Sequence, residues 1–315
     1  MKILSLFKTL SLFKTLALLL LVTNSVFAAN TLAANDEVSN YEVTDFLGRK
    51  VRLEQAAKRI VALAPHIVEN VFSAGAGDKI VGAVDYCDYP EVATKIPRVG
   101  AISTYSLEAI IQLNPDLVIV WHSGHGSKVL KKLVALGIPA YASDPHSLPD
   151  VAKAIEDYGI LAGTQTTAKK TADNFRQRYQ LLKNNFSNAD TVSTLYQVWN
   201  APLQTINGKS IISAVIRLCG GKNAFGDAIP IAPKISIESV ITQNPEVIIA
   251  SGMGEARPEW LDAWKQWPTI HAVKADNLYF VPPDIIQRHT MRILDGAEHM
   301  CRHLKKARSK RKPAH

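Results

Sequence analysis

One supersecondary device occurs twice in this chain. Ser106 to Val120 reads SLEAIIQLNPDLVIV, and 130 positions further on Ser236 to Ala250 reads SIESVITQNPEVIIA. Ser, Glu, Ile, Asn, Pro and a second Ile coincide, and most other positions exchange one aliphatic side chain for another, or Asp116 for Glu246. Each copy opens with a Ser suited to cap a helix and an acid, Glu108 or Glu238, in the first turn, where the positive end of the helix dipole favours it. Each closes on Asn-Pro, because proline disfavours helix at the preceding residue. A short apolar, β-branched run follows and reads as a buried strand. Two similar halves with a cleft between them are therefore expected.

The first residues read as an export signal. Lys2, Lys8 and Lys14 precede the apolar run Leu16 to Val22, and Val26-Phe27-Ala28 offers small residues for cleavage. The run is short for a membrane anchor, and the first cysteine is Cys87, so a lipid has no acceptor near the cleavage point. The expectation is a soluble exported protein.

The formal charge of +8 is unevenly placed. Three lysines lie in the signal, and Lys305, Lys306, Arg308, Lys310, Arg311 and Lys312 lie at the end. Without these nine, 27 basic residues stand against 28 acidic ones. The body is not basic, which argues against nucleic acid as a partner. Three cysteines in an exported chain invite one disulfide and one free thiol, and all three pairings are open. A Cys219–Cys301 bridge would tie the last helix to the second half.

Strand-like and helical runs alternate along both halves, the order of an α/β fold with largely parallel sheets. A small hairpin is expected around Leu47-Gly48. Between the halves, Ala168, Ala172, Phe175, Tyr179, Leu182 and Phe186 recur at intervals of three and four, giving one long amphipathic helix over Thr166 to Phe186. The expected divisions are a signal at 1–28, an N-terminal extension at 29–58, a first lobe at 59–163, a connecting helix at 164–188, a second lobe at 189–304 and a basic disordered tail at 305–315. The final helix is expected from about Thr290 to Lys305.

No hydrolase or nucleotide motif assembles. Asn207-Gly208-Lys209-Ser210 ends like a phosphate loop, yet Leu203 stands at the place of its first glycine. His122 with His125, and His299 with Cys301 and His303, have spacings that suit metal ligands. The plainer reading of His299 and His303 is the polar side of a terminal helix, and that of His122 or His125 is the lining of a ligand cleft. Aromatic residues carry more weight, because Tyr86, Trp121 and Trp199 each follow a strand, and open α/β sheets bind ligands beyond the carboxyl ends of their strands. Flat apolar faces there suit a large ligand with few polar edges. Asp284 and Arg288, in the loop after another strand, are candidate polar anchors, with a mutual salt bridge as the plainer alternative.

Together, Ala64-Pro65-His66-Ile67-Val68-Glu69, Asp85-Tyr86-Cys87-Asp88-Tyr89-Pro90, the two Ser-x-Glu helices, NPDLVIVW (Asn114 to Trp121) and LCGGKNAF (Leu218 to Phe225) resemble the cobalamin-binding branch of the iron-siderophore and cobalamin periplasmic solute-binding family. The similarity covers roughly Arg59 to Leu304. It implies two Rossmann-like α/β lobes joined by one long backbone helix, cobalamin (vitamin B12) held between them, a periplasmic location and delivery to an inner-membrane ABC permease dimer by a monomeric protein that is not an enzyme and needs no cofactor. By position, Tyr86 matches a cobalamin-contacting tyrosine and Trp121 a cleft tryptophan, while Asp284, Ile285, Ile286, Gln287 and Arg288 match a contact loop. Cys219 and Cys301 match the family disulfide. Glu108 and Glu238 match the acids, one per lobe, that engage arginines of the permease.

The chain departs from the pattern at Ile102 and Ala232, where relatives place tryptophans, and at Ile285 and Ile286, where they place aromatics. Haem or a ferric siderophore is the rival ligand within this fold. An exported metal-dependent hydrolase using His122 and His125 is the rival of another class.

Overall fold

The computed structural model describes residues 41–252, 254 and 256–311. The signal expected at 1–28 lies outside the described residues, as do positions 29–40 of the extension. Strands β1 (Tyr41–Thr44) and β2 (Lys50–Leu53) form the expected antiparallel hairpin. Asp45 accepts from the backbone of Leu47 and Arg49, both at 2.9 Å, which fixes the turn. Phe46 N donates to Ala142 O at 3.1 Å and attaches the hairpin to the first lobe.

That lobe contains β3 (Ile60–Ala62), α1 (Pro65–Ser73), β4 (Ile80–Ala83), α2 (Leu107–Gln112), β5 (Leu117–Trp121), the single turn α3 (His122–His125), α4 (Ser127–Ala135), β6 (Ala140–Ser143) and α5 (Leu148–Ala162). After α6 (Gln165–Phe186) come β7 (Val192–Gln197), α7 (Ile211–Leu218), β8 (Gly221–Asn223), α8 (Ile237–Gln243), β9 (Val247–Ala250), α9 (His271–Lys274), β10 (Leu278–Phe280), α10 (Pro283–Ile286) and α11 (Ile293–Ser309). Each lobe holds one four-stranded parallel sheet, ordered β4-β3-β5-β6 in the first and β8-β7-β9-β10 in the second. These are the same order. In each, the first strand of the lobe sits inside, flanked by its second and third.

The sequence repeat is the α2-β5 unit of one lobe and the α8-β9 unit of the other, and the two are built alike. Ser106 Oγ accepts from Ala109 N at 3.1 Å, and Ser236 Oγ from Ser239 N at 3.2 Å. Asn114 and Asn244 turn the chain in the left-handed region, at φ 43° and 45°, a conformation asparagine tolerates better than most residues. The acid after each proline then pins its strand to the start of the lobe. Asp116 accepts from Lys58 N and Arg59 N at 2.8 and 2.9 Å, and Glu246 from Ser193 N at 2.9 Å.

Helix α5 starts on a Ser147–Asp150 capping box and stops at Gly163 in the left-handed region, the usual glycine role at a helix end. Helix α6 then runs back along it. A Cβ on Gly159 would stand 2.1 Å from Ala168 Cβ, so glycine there permits the close crossing. Ala168, Ala172 and Phe175 are fully buried, and burial of the Phe175 ring contributes about 1.5–3 kcal/mol. Further along, Arg178 of α6 pairs with Asp295 at 2.7 Å and Glu298 at 2.9 Å on α11. One helix therefore packs on both lobes. A continuous apolar core follows it, from Val43 through Phe175 to Ala307, and a smaller one around Ile248 and Trp264 lies on the opposite face of the second sheet.

Cys219 and Cys301 are disulfide-bonded across a separation of 82 residues. Closing a loop of that size restrains the unfolded chain by about 4–5 kcal/mol in the chain-entropy model. Cys87 is the free cysteine, buried, and burial pushes its thiol up to about 12.

The expected disordered tail needs correction over its first part. Helix α11 continues to Ser309, and its cations find oxygen acceptors. Arg308 donates to the carbonyls of Asp190, Cys219 and Gly220 at 2.6, 2.6 and 2.9 Å. Lys310 donates to Ala275 O and Asp276 O, and Arg311 pairs with Glu246 at 2.9 Å. An acid distant in sequence offsets the charge that looked unopposed. The Trp-rich run Glu259–Gln266 is 3₁₀ rather than α-helical, and β8 was not expected, since Gly221-Lys222-Asn223 lacks an apolar pattern.

Candidate ligand cleft

In each sheet the first and third strands lie side by side with their connections leaving in opposite directions, which opens a crevice at their carboxyl ends. In the first lobe that crevice holds His66, at the start of α1 after β3, and Trp121, the last residue of β5. The two rings meet edge to face at 5.2 Å, and His289 of the second lobe stands 5.4 Å from His66 and 6.5 Å from Trp121. Beneath the indole the backbone is tight, since a Cβ on Gly124 would fall 2.2 Å from the Trp121 ring. Asp144, just past β6, accepts from Ser123 Oγ at 2.9 Å and lies 3.2 Å from His146 Nε2.

Beside them a cavity of about 140 Å³ lies between the lobes. Trp121, Ser123, Asp144, Pro145 and His146 supply one wall, and Lys209, Ser210, Ile211, Ile231 and His289 the other. Burial lowers the proton affinity of the imidazoles here. The pKa of His66 lies well below the ordinary value, with the positive potential of His289, His125 and Arg288 adding to the burial. His125 is lowered by burial, and His289 falls to about 4 through burial and then the neighbouring His146. These rings are neutral at neutral pH.

Beside the cavity the lobes are bolted together. Glu69 on α1, whose side chain is 2 % exposed, pairs with Arg288 at 2.8 Å and accepts two hydrogen bonds from Arg292, at 3.0 and 2.7 Å. Arg288 also reaches Asp88 at 2.8 Å and Asp284 at 3.0 Å, while the Arg292 guanidinium lies 3.9 Å over the Tyr89 ring. Asn70 Nδ2 donates to His289 O at 2.8 Å. Burial works against the Arg288 charge, but the hydrogen bonds to Asp88 and Glu69 outweigh it and raise its pKa.

The side chains of the segment Asp284 to Arg288, expected to anchor a ligand, are engaged with the protein itself in this structure. Arg288 and Asp284 form their mutual ion pair within the clamp. Ile286 is fully buried, Ile285 is half-buried, and Gln287 Nε2 donates to Ser251 O at 2.7 Å, holding the segment to the end of β9. Gly296 of α11 lets the segment lie close, because a Cβ there would come 2.2 Å from Ile285 O. The residue that reaches the cavity is the next one, His289. Sequence reasoning did not single it out, and the only available signal was its place directly after that segment.

Tyr86 and Trp199 follow β4 and β7 and stand exposed, at 77 % and 38 %, outside the cavity lining. Tyr86 adopts φ 62°, a conformation costly for a bulky side chain. The Trp199 indole N–H donates to Ala201 O at 2.9 Å, which fixes the ring plane. His122 and His125 flank the Trp121 wall, where His125 Nδ1 meets Trp121 O at 2.9 Å. His303 instead stacks on Tyr279 at 4.5 Å, and the Cys301 thiol is spent in the disulfide. Among the described residues, no group of three or more His, Cys, Asp or Glu side chains could hold a metal ion.

Glu108 and Glu238 are fully exposed at matched positions on the two lobes. Each carboxylate is stabilised by its own backbone N–H and then by the capping serine, which lowers its pKa.

Two parallel-sheet lobes of one topology, joined by a helix and facing each other across a cavity, define a helix-linked solute-binding protein. The family model for periplasmic binding proteins matches residues 60–285, and the chain belongs to that family. It is 37 % identical over 256 residues to the vitamin B12-binding protein of Vibrio campbellii, covering 81 % of this chain and 92 % of that one. Among solved structures it resembles the periplasmic vitamin B12-binding protein of Vibrio cholerae, with a TM-score of 0.75 and 35 % identity over 80 % of this chain and 98 % of that one. A periplasmic heme-binding protein from Roseiflexus shares the fold, with a TM-score of 0.70 at 22 % identity, covering 80 % of this chain and 99 % of that one.

Proposed function

We propose that this protein captures cobalamin or a related corrinoid between its lobes and presents it to an inner-membrane ABC importer. The observation that carries the reading is the interlobe cavity at the facing strand ends, walled by Trp121, in a chain more than a third identical to vitamin B12-binding proteins over most of its length. Trp121 supplies a flat apolar face for the macrocycle, and Tyr86 and Trp199 supply further faces at the cleft's outer edge. The Glu69–Arg288–Arg292 clamp and the shared core make capture a matter of filling a preformed cleft, with little lobe motion.

Residues 1–28 direct export, the mature protein works in the periplasm as a monomer, and it binds its ligand without a cofactor or catalysis. Glu108 and Glu238 present one carboxylate per lobe to cationic groups of a two-fold permease, setting orientation and association rate more than affinity. Titration of the purified protein with cyanocobalamin, haemin and ferric siderophores, followed by calorimetry and tryptophan quenching, tests the reading. A response to cyanocobalamin is expected. A response to haemin or a siderophore alone would assign the cleft to the rival ligand.

A further inference from the structure

Among the described residues, four buried side-chain nitrogens around Trp121 have no hydrogen-bond partner: Nε2 of His66, Nδ1 of His122, Nε2 of His125 and Nδ1 of His289. Leaving a buried polar atom unpaired costs about 1–3 kcal/mol, and natural proteins tolerate the cost chiefly where function repays it. His289 differs from the other three because its ring lines the interlobe cavity. Its Nδ1 is shut away from solvent, so the edge that a ligand can reach carries Nε2.

Among the described residues no protein group bonds that ring, and burial keeps it neutral. Its backbone is held in place, with His289 O accepting from Asn70 Nδ2 at 2.8 Å and the flanking Arg288 fastened to Glu69. The polar neighbours in the cavity wall are differently disposed. Asp144 is occupied by Ser123 and His146, Ser210 Oγ caps α7 by accepting from Ile212 N, and Lys209 ends in an ammonium. A neutral, unbonded, positioned imidazole is the donor type that transition metals in macrocycles take as an axial ligand.

We propose that His289 is a metal-directed contact of this cleft, its Nε2 taking an exchangeable axial position on the cobalt of a bound corrinoid. The inference rests on the corrinoid reading above. The cobalt–water bond breaks and the water leaves as the imidazole lone pair forms the cobalt–nitrogen bond; no electron changes hands and no proton is released. Corrinoids with an exchangeable axial water are then favoured over those with both axial positions capped by cyanide.

The test uses purified protein titrated with diaquocobinamide and with dicyanocobinamide. Tryptophan quenching reports binding, and visible absorption reports axial ligation. The wild-type protein is expected to shift the visible bands of the diaquo form relative to the free compound, and to leave those of the dicyano form in place. His289→Ala and the bulkier His289→Gln abolish the shift and weaken diaquo binding by about tenfold more than dicyano binding, whereas His66→Ala keeps the shift. Quenching without a shift in the wild-type protein overturns the coordination and leaves the corrinoid reading standing. A shift that survives both His289 variants, or that only His66→Ala removes, also overturns the assignment. If neither cobinamide quenches, the corrinoid reading falls and this inference with it.

Discussion

Glu69 shows how one buried carboxylate can organise a boundary between lobes. It accepts hydrogen bonds from two guanidiniums of the other lobe while its own side chain is 2 % exposed. Removing one partner of a buried pair leaves the others desolvated without compensation, a loss of about 3–5 kcal/mol. Glu69→Gln is expected to lower urea-denaturation stability by that order, whereas Asp88→Asn, at the exposed rim, costs well under 1 kcal/mol. The cavity histidines set the pH response. His289 has its pKa lowered from 6.5 to about 4, so between those values the unfolded chain binds the proton more readily than the folded one. Stability therefore rises with pH across that window and is lost on acidification, by roughly 3 kcal/mol at 1.36 kcal/mol per pKa unit. His66 acts in the same direction, His146 adds to the effect at His289, and Asp144 opposes it. Urea denaturation at several pH values between 4 and 7 should show this slope, and His289→Leu should flatten it.

At the scale of elements, the crossing of α5 and α6 depends on Gly159, and a methyl there meets Ala168 at 2.1 Å. Gly159→Ala is expected to destabilise the protein by about 1–3 kcal/mol, the usual cost of overpacking, read as a lowered thermal midpoint. The repeat was legible because its signals are local: a serine cap, an acid within the first turn, and an Asn-Pro stop before an apolar strand. The connecting helix was legible from its apolar spacing. Elements stabilised by distant partners were not. Strand β8 has no apolar pattern and exists because β7 offers an edge. The last turns of α11 read as solvated because the groups that bind Arg308 and Arg311 lie 65 to 120 positions away. The clamp joins Glu69 to residues 219 and 223 positions on, and no local pattern encodes such a pairing. Of the cavity wall, Trp121 could be read from its strand end, while His289 carried no signal beyond its place directly after the segment Asp284 to Arg288.

For the whole molecule, the matched glutamates predict a separation of functions. The double variant Glu108→Ala with Glu238→Ala should bind cyanocobalamin as the parent does in calorimetry, yet fail to support its uptake by cells that depend on this protein. Weakened ligand binding instead would place the acids in the cleft. The clamp has one further consequence, for unloading. Spreading the lobes along that edge would strip a nearly dry carboxylate from two guanidiniums, so the cleft resists being prised apart there even when a partner holds both lobes. On the proposed reading, in which Tyr86 and Trp199 edge the cleft, the easier exit for cargo is past that edge, with the clamped side staying shut behind it.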